Sequence, residues 1–326
     1  MKPSFFKNLG PIDIETIKLS LDCEIRNIPE NYQFYDLVNI ENVKGESLSF
    51  IYDNANVKSE EIISSTIICT KKKSSSFSNK QKIIIVKNVQ YAIAVVSNIF
   101  YRNYNSDEIL NLPQPKVGDS CEISNNAIIE NGVIIGKNVK IGHGAVIKNS
   151  CFIGDGSSVG SNTVISNSIL GEDVKIGSNT TIGKSGFGFF LKNFGNIKIF
   201  HTGRVILQSN VSIGSACTID RGSFSDTTIG ENTYLDNLCH VAHNVEIGSN
   251  SAFAAMTGIA GSAKIGNNVL AGGQVGIAGH IRIGNNVNIA AKSGVFHSLH
   301  NGQSVMGNPA INKYSYLRKY KKIYGN

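Results

Sequence analysis

The chain has no tryptophan, no pair of cysteines at C-x-x-C spacing, and no apolar run of the roughly 18 residues that a membrane-spanning helix needs. Each absence excludes something. Cys23, Cys69, Cys121, Cys151, Cys217 and Cys239 are scattered, so neither a zinc knuckle nor a disulfide framework is implied and reduced thiols are expected. The start, Met1-Lys2-Pro3-Ser4-Phe5-Phe6-Lys7, lacks the apolar stretch of an export signal. A cytoplasmic protein without a transmembrane segment is the expectation. Net charge is +7, but none of the nucleic-acid-binding motifs occurs, and Lys71-Lys72-Lys73 before Ser74-Ser75-Ser76 reads as a solvated charge run.

Proline is also scarce, at six residues, whereas glycine is abundant at 33 in 326, a bias toward many tight chain reversals rather than long helices. A six-residue repeat explains it. Aliphatic residues recur at Val117, Ile123, Ile129, Ile135, Ile141, Ile147, Ile153, Val159 and Ile165, often followed by Gly. A one-residue slip leads to Leu170, Ile176 and Ile182. The repeat resumes at Leu207, Ile213 and Ile219, then runs from Ile229 through Leu235, Val241, Ile247, Phe253 and onward to Val295.

Neither a helix nor an alternating strand has a period of six, but a parallel β-helix does, with three hexads to each triangular coil. About nine coils at strand spacing give a prism about 43 Å tall. Hexapeptide β-helices wind left-handed, against the usual crossover rule. The expected fold is therefore mainly β: a left-handed parallel β-helix over residues 113–299, preceded by an α/β domain over 1–112 and followed by a short helical tail over 300–326. In the first domain, 62–70 and 83–86 read as strands, and Val89, Ile93, Val96 and Phe100 recur at helical spacing. Pro113 and Pro115 mark the linker.

Two excursions, 184–204 and 221–228, interrupt the repeat, and loops thrown out of a solenoid commonly build binding surfaces. Hexads by themselves specify only a scaffold. Within the prism, His143 and His243 each fall two residues after an inward aliphatic and should project outward, whereas His240 directly precedes Val241. An outward imidazole can serve as a general base or be inert. His280 follows His243 by close to two coils, about 10 Å along the axis. No convincing metal-ligand set emerges from His240 and His243.

The segments Ile219-Asp220-Arg221-Gly222, Leu235-Asp236-Asn237, Val241-Ala242-His243-Asn244-Val245-Glu246-Ile247-Gly248 and Ala278-Gly279-His280 occur in that order. With Gly186-Phe187-Gly188-Phe189 and Gly203-Arg204-Val205, they strongly resemble the UDP-3-O-acylglucosamine N-acyltransferases of lipid A biosynthesis. The domain order matches across essentially the whole chain. By this resemblance His243 is the general base, Asp236, Asn237 and His280 are auxiliary cleft residues, and Phe50 and Asn54 bind the uridine.

The resemblance also implies a homotrimer with sites between prisms, a UDP-sugar acceptor, and a 3-hydroxyacyl donor on the phosphopantetheine of acyl carrier protein, with no other cofactor and no metal. Corner backbone N–H groups could hold the oxyanion. The aromatic motif of the first domain departs from the family by one extra residue, which leaves Val57 at the family's Tyr position and Tyr52 as a substitute ring. An acyl groove is expected to run toward Gly294 with no bulky plug beside it. The basic tail residues Lys313, Arg318, Lys319, Lys321 and Lys322 could recruit the acidic carrier or be a solvated helix end. Other readings are a hexapeptide sugar O-acyltransferase, an acetyl-CoA-dependent N-acetyltransferase, and a non-catalytic scaffold.

Overall fold

A computed structural model of the chain describes residues 5–43, 45–55, 65–191, 195–307 and 313–324. Three parallel sheets of nine, ten and nine strands form the faces of the left-handed β-helix that the hexads imply. Each strand pairs with the one a coil later, so that Ile135 lies beside Ile153 and Ile141 beside Val159. These side chains stack into one continuous buried ladder through the prism. Most strands are two residues long, so almost all of the stability of each rung comes from stacking on its neighbours.

The corner chemistry is divided between two positions of the hexad. In Ile135-Gly136-Lys137-Asn138 the glycine meets the next coil: a Cβ there would come within 2.7 Å of the Asp155 nitrogen. The turn itself is made by Asn138, whose φ of 56° lies in the left-handed region that asparagine tolerates. The fourth residue after each aliphatic points inward as well. Cys151, Cys217 and Cys239 occupy that position and are buried, which makes them core fillers. Burial pushes the Cys151 thiol up to about 12, so it is inert at neutral pH.

Parallel pairing continues beyond Val295, because Ser304–Val305 pairs with Asn288–Ile289. That strand escapes the six-residue repeat because Leu299, which bridges to Ile283 on the first face, follows Val295 by four residues rather than six, and Val305 comes six residues later. Beyond it, the tail contains the helix Lys313–Tyr324.

The N-terminal domain has a five-stranded sheet ordered Cys23–Arg26, Lys82–Val86, Thr66–Cys69, Ser47–Phe50, Asp36–Leu37, antiparallel only at the first pairing. The expected strand at 62–70 is Thr66–Cys69, with 62–64 outside the described residues. Val89–Phe100 is helical, capped by Asn88, whose side chain accepts the Tyr91 N–H at 2.9 Å. The charge run Lys71–Ser74 is a short capped helix on which Lys71 and Lys72 are exposed, and Lys73 Nζ donates to the Ala55 carbonyl at 2.7 Å.

This domain is seated on the two excursions. Phe190, Ile199, Phe200 and Phe224 pack into its core. Asn98 donates to the Lys198 carbonyl at 2.7 Å, and Ser97 Oγ accepts the Phe200 N–H at 3.0 Å.

Candidate active site

His243 stands on the corner between Val241 and Glu246, and two glycines flank it closely. Gly261, one coil on, lies beneath it: a Cβ there would sit 2.9 Å from both Nε2 and Cε1. Gly186 of the first excursion covers its other edge, where a Cβ would come within 2.8 Å of the His243 Cβ. Both glycines are required by close approach.

The tautomer follows from Asn244. Its Oδ1 accepts the Ser223 N–H at 3.1 Å and the Ser223 hydroxyl at 2.9 Å, while its Nδ2 donates to Ser225 Oγ at 2.7 Å. With Oδ1 fixed as an acceptor, the 2.9 Å contact from His243 Nδ1 must be an N–H donating to it. The proton therefore sits on Nδ1, and Nε2 carries a free lone pair. A base oriented by a hydrogen bond from its other nitrogen is the arrangement general-base chemistry needs.

His243 opens on a cleft of about 730 Å³ between the prism, both excursions and the N-terminal domain. Phe50 and Tyr52 enter from that domain, and Phe50 packs edge-on against Phe224 with ring centroids 5.0 Å apart. Phe187 and Phe189 come from the first excursion, and Lys264 and His280 from later coils. The structure thus brings together His243, His280, Phe50 and Tyr52. It does not bring Asn54 there, which is exposed in a turn outside the lining. Val57 lies outside the described residues.

Asp236 and Asn237 occupy a different corner, at the edge of the second face. Asn237 Oδ1 accepts the Ser215 N–H at 2.8 Å, and Asp236 Oδ1 accepts from the Asn237 N–H at 2.7 Å. Asp236 borders a separate, mostly apolar groove of about 960 Å³ that includes Tyr234, Ala252, Leu270 and Met306. Within one chain these two residues do not meet His243.

The remaining histidines sort themselves. His143 Nδ1 lies 3.1 Å from Asn126, and His240 Nδ1 lies 2.7 Å from Thr218 Oγ1. Neither lines the cleft. Among the described residues, no cluster of three or more His, Cys, Asp or Glu could hold a metal ion.

Sequence reasoning missed His201. It is 1% exposed, accepts the Gly186 N–H at Nδ1 (3.2 Å), and its ring stands edge to face with that of His243 at 5.4 Å. Burial, with the nearby His243 and Arg221 charges adding to it, pushes its pKa down to about 3. Its carbonyl accepts from the buried Arg221 guanidinium at 3.0 Å, which also donates to Asn167 and to the Gly183 carbonyl. The IDRG segment is thus a brace behind the site. Nothing in the local sequence Ile199-Phe200-His201-Thr202 signals this, because the contacts come from Gly186, Arg221 and His243, 15, 20 and 42 positions away.

The third face carries Gly258, Gly276 and Gly294 in one outward row. The expected unplugged surface at Gly294 is not found: the Phe296 ring stands against it, with Cε2 2.9 Å from where a Cβ would be.

Residues 226–261 match the family model for the bacterial transferase hexapeptide (six repeats), and residues 112–190 match that for the GMPPB C-terminal domain. UDP-3-O-acylglucosamine N-acyltransferases are similar: that of Caulobacter vibrioides is 46% identical over 80 residues, and that of Maricaulis maris 41% over 80. Each match spans 24% of this chain and about a quarter of the relative's length, 24% and 23% respectively.

Among solved structures, LpxA from Acinetobacter baumannii superposes with a TM-score of 0.53 at 25% identity, covering 63% of this chain and 84% of that one. UDP-N-acetylglucosamine acyltransferase from Campylobacter jejuni gives 0.52 at 21% identity, covering 62% and 84%, which speaks to the fold alone. Over about a quarter of its length the chain is therefore similar to UDP-3-O-acylglucosamine N-acyltransferases, and its prism has the hexapeptide-repeat β-helix fold that the LpxA structure shares.

Proposed function

We propose that the protein transfers a 3-hydroxyacyl chain from acyl carrier protein to the 2-amino group of UDP-3-O-(3-hydroxyacyl)-glucosamine, in the cytoplasm and as a homotrimer. The observation that carries this reading is the orientation of His243, with Nδ1–H fixed on Asn244 and Nε2 free in a cleft lined with aromatic rings. An amine attacks a thioester carbonyl as its lone pair becomes a C–N bond, so a proton must leave nitrogen in that step. Nε2 accepts it, and the phosphopantetheine thiolate leaves as the tetrahedral intermediate collapses and is protonated.

Phe50 and Tyr52 offer flat apolar surfaces suited to a pyrimidine ring, and Lys264, ion-paired with Glu246 at 2.7 Å on the same cleft, is the cation a diphosphate would compete for. Asp236 and Asn237 would join the site from a neighbouring prism in the trimer. An O-acyl acceptor would fit the same prism, but the N-terminal aromatic wall and the similarity to N-acyltransferases favour the amine.

The test is direct. Purified protein is incubated with UDP-3-O-(3-hydroxyacyl)-glucosamine and carrier protein charged with 3-hydroxyacyl chains of several lengths, and the amide product is followed by mass spectrometry. Absence of an amide product with every chain would overturn the reading.

A further inference from the structure

The cleft beside His243 contains a second imidazole that the acyl-transfer scheme leaves idle. His201 Nδ1 accepts the Gly186 N–H, so in the neutral ring the proton must be on Nε2. That Nε2 is buried and has no hydrogen-bond partner among the described residues. A buried, unpaired donor costs free energy that native structures rarely leave uncompensated. Gly188 lies against it without a side chain, and a Cβ there would come 2.4 Å from Nε2; both residues line the cleft.

The residue is held at both its main chain and its ring. Arg221 Nε donates to the His201 carbonyl at 3.0 Å while Gly186 fixes Nδ1 at 3.2 Å, so the donor is oriented before anything binds. The edge-to-face contact at 5.4 Å keeps it beside His243. Both rings line the same cleft, so one substrate bound there faces an N–H donor as well as the base.

We infer that His201 is a catalytic residue whose Nε2–H donates to the carbonyl oxygen of the acyl group as it becomes an oxyanion. The inference rests on the acyl-transfer reading. The two imidazoles divide the work: His243 presents a lone pair to the amine, and His201 presents a proton to the oxygen without giving it up. Because burial holds His201 neutral down to about pH 3, it does not compete as a base. Preorganised donors of this kind act on charge that appears only in the transition state.

The test compares wild type, His201→Phe and His201→Gln in the amide-forming assay, with thermal melts confirming folding. The phenylalanine variant should lose about 10²- to 10³-fold in kcat with the KM for the UDP-sugar changed by less than about threefold. The glutamine variant, which retains an N–H donor, should recover at least about tenfold of that loss. Wild-type turnover in the same experiment checks the acyl-transfer reading separately. Unchanged kcat in the phenylalanine variant, a loss confined to KM, or no recovery with glutamine would overturn the inference. Should the variants fail to fold, the imidazole nitrogen shifts of the wild-type protein remain decisive, because a His201 proton on Nδ1 rather than Nε2 between pH 5 and 8 (approximate working range) contradicts it.

Discussion

At the scale of single residues, the site depends on which nitrogen of each imidazole holds a proton. His243→Ala should lower turnover by about two to four orders of magnitude while the melting temperature stays near wild type, measured by steady-state assay and calorimetry. His201 also makes an acid-stability prediction. The unfolded chain protonates it near 6.5, whereas the folded chain refuses the proton until about 3. Its contribution is therefore complete above pH 6.5 and falls by about 1.4 kcal/mol per unit as pH drops toward 3. Urea unfolding midpoints measured across that window should decline less steeply in His201→Gln than in wild type; parallel declines would contradict a buried neutral ring.

At the scale of elements, the corners and excursions carry the specificity. Gly261→Ala places a methyl group 2.9 Å from the His243 ring, so the imidazole must move. Turnover should fall about 10- to 100-fold with little loss of thermal stability, since misplacing a catalytic group by even about 1 Å is costly. Phe296 makes the complementary case on the third face, where it stands over Gly294 at the end of the glycine row. Phe296→Ala should shift donor preference toward longer acyl chains, scored by competition between carrier proteins charged with different lengths. An unchanged length profile would place the acyl chain elsewhere.

The rungs of the prism were legible in the sequence because one period governs them all: Ile135, Ile141 and Ile147 announce three faces in turn. His243 was legible for the same reason, as an outward corner residue. Asn244 lay inside a recognised segment, but its role depends on Ser223 and Ser225, which reach it from an excursion with no repeat to index them. His201 was invisible because its neighbours, Gly186 and Arg221, are joined to it only by tertiary packing. The Ser304–Val305 strand was missed because the four-residue step from Val295 to Leu299 breaks the period that revealed the others.

At the scale of the whole molecule, charge and repetition matter most. Arg318, Lys319, Lys321 and Lys322 are exposed on the tail helix, with no acidic residue from Lys313 onward. Replacing these four by Ser should raise the KM for charged carrier protein at low salt and flatten its salt dependence, leaving the KM for the UDP-sugar unchanged. Screening acts within about 8 Å at physiological ionic strength, so apolar packing of the tail would not produce that pattern. No helix among the described residues is long and apolar enough to cross a membrane.

The parallel pairing of each strand with its counterpart three strands on gives the prism a reading frame of its own. Ile135 pairs with Ile153, so duplicating that 18-residue interval returns every later residue to the face it left. Such a duplication before the first excursion would lengthen the molecule by about 4.8 Å and preserve His243, Gly261 and His280 as a set. A six-residue insertion at the same place keeps every aliphatic in register and every corner satisfied, yet turns the rest of the chain by one face. The two excursions would then emerge a third of a turn away from the N-terminal domain that rests on them. The solenoid would still fold, and the cleft would be gone.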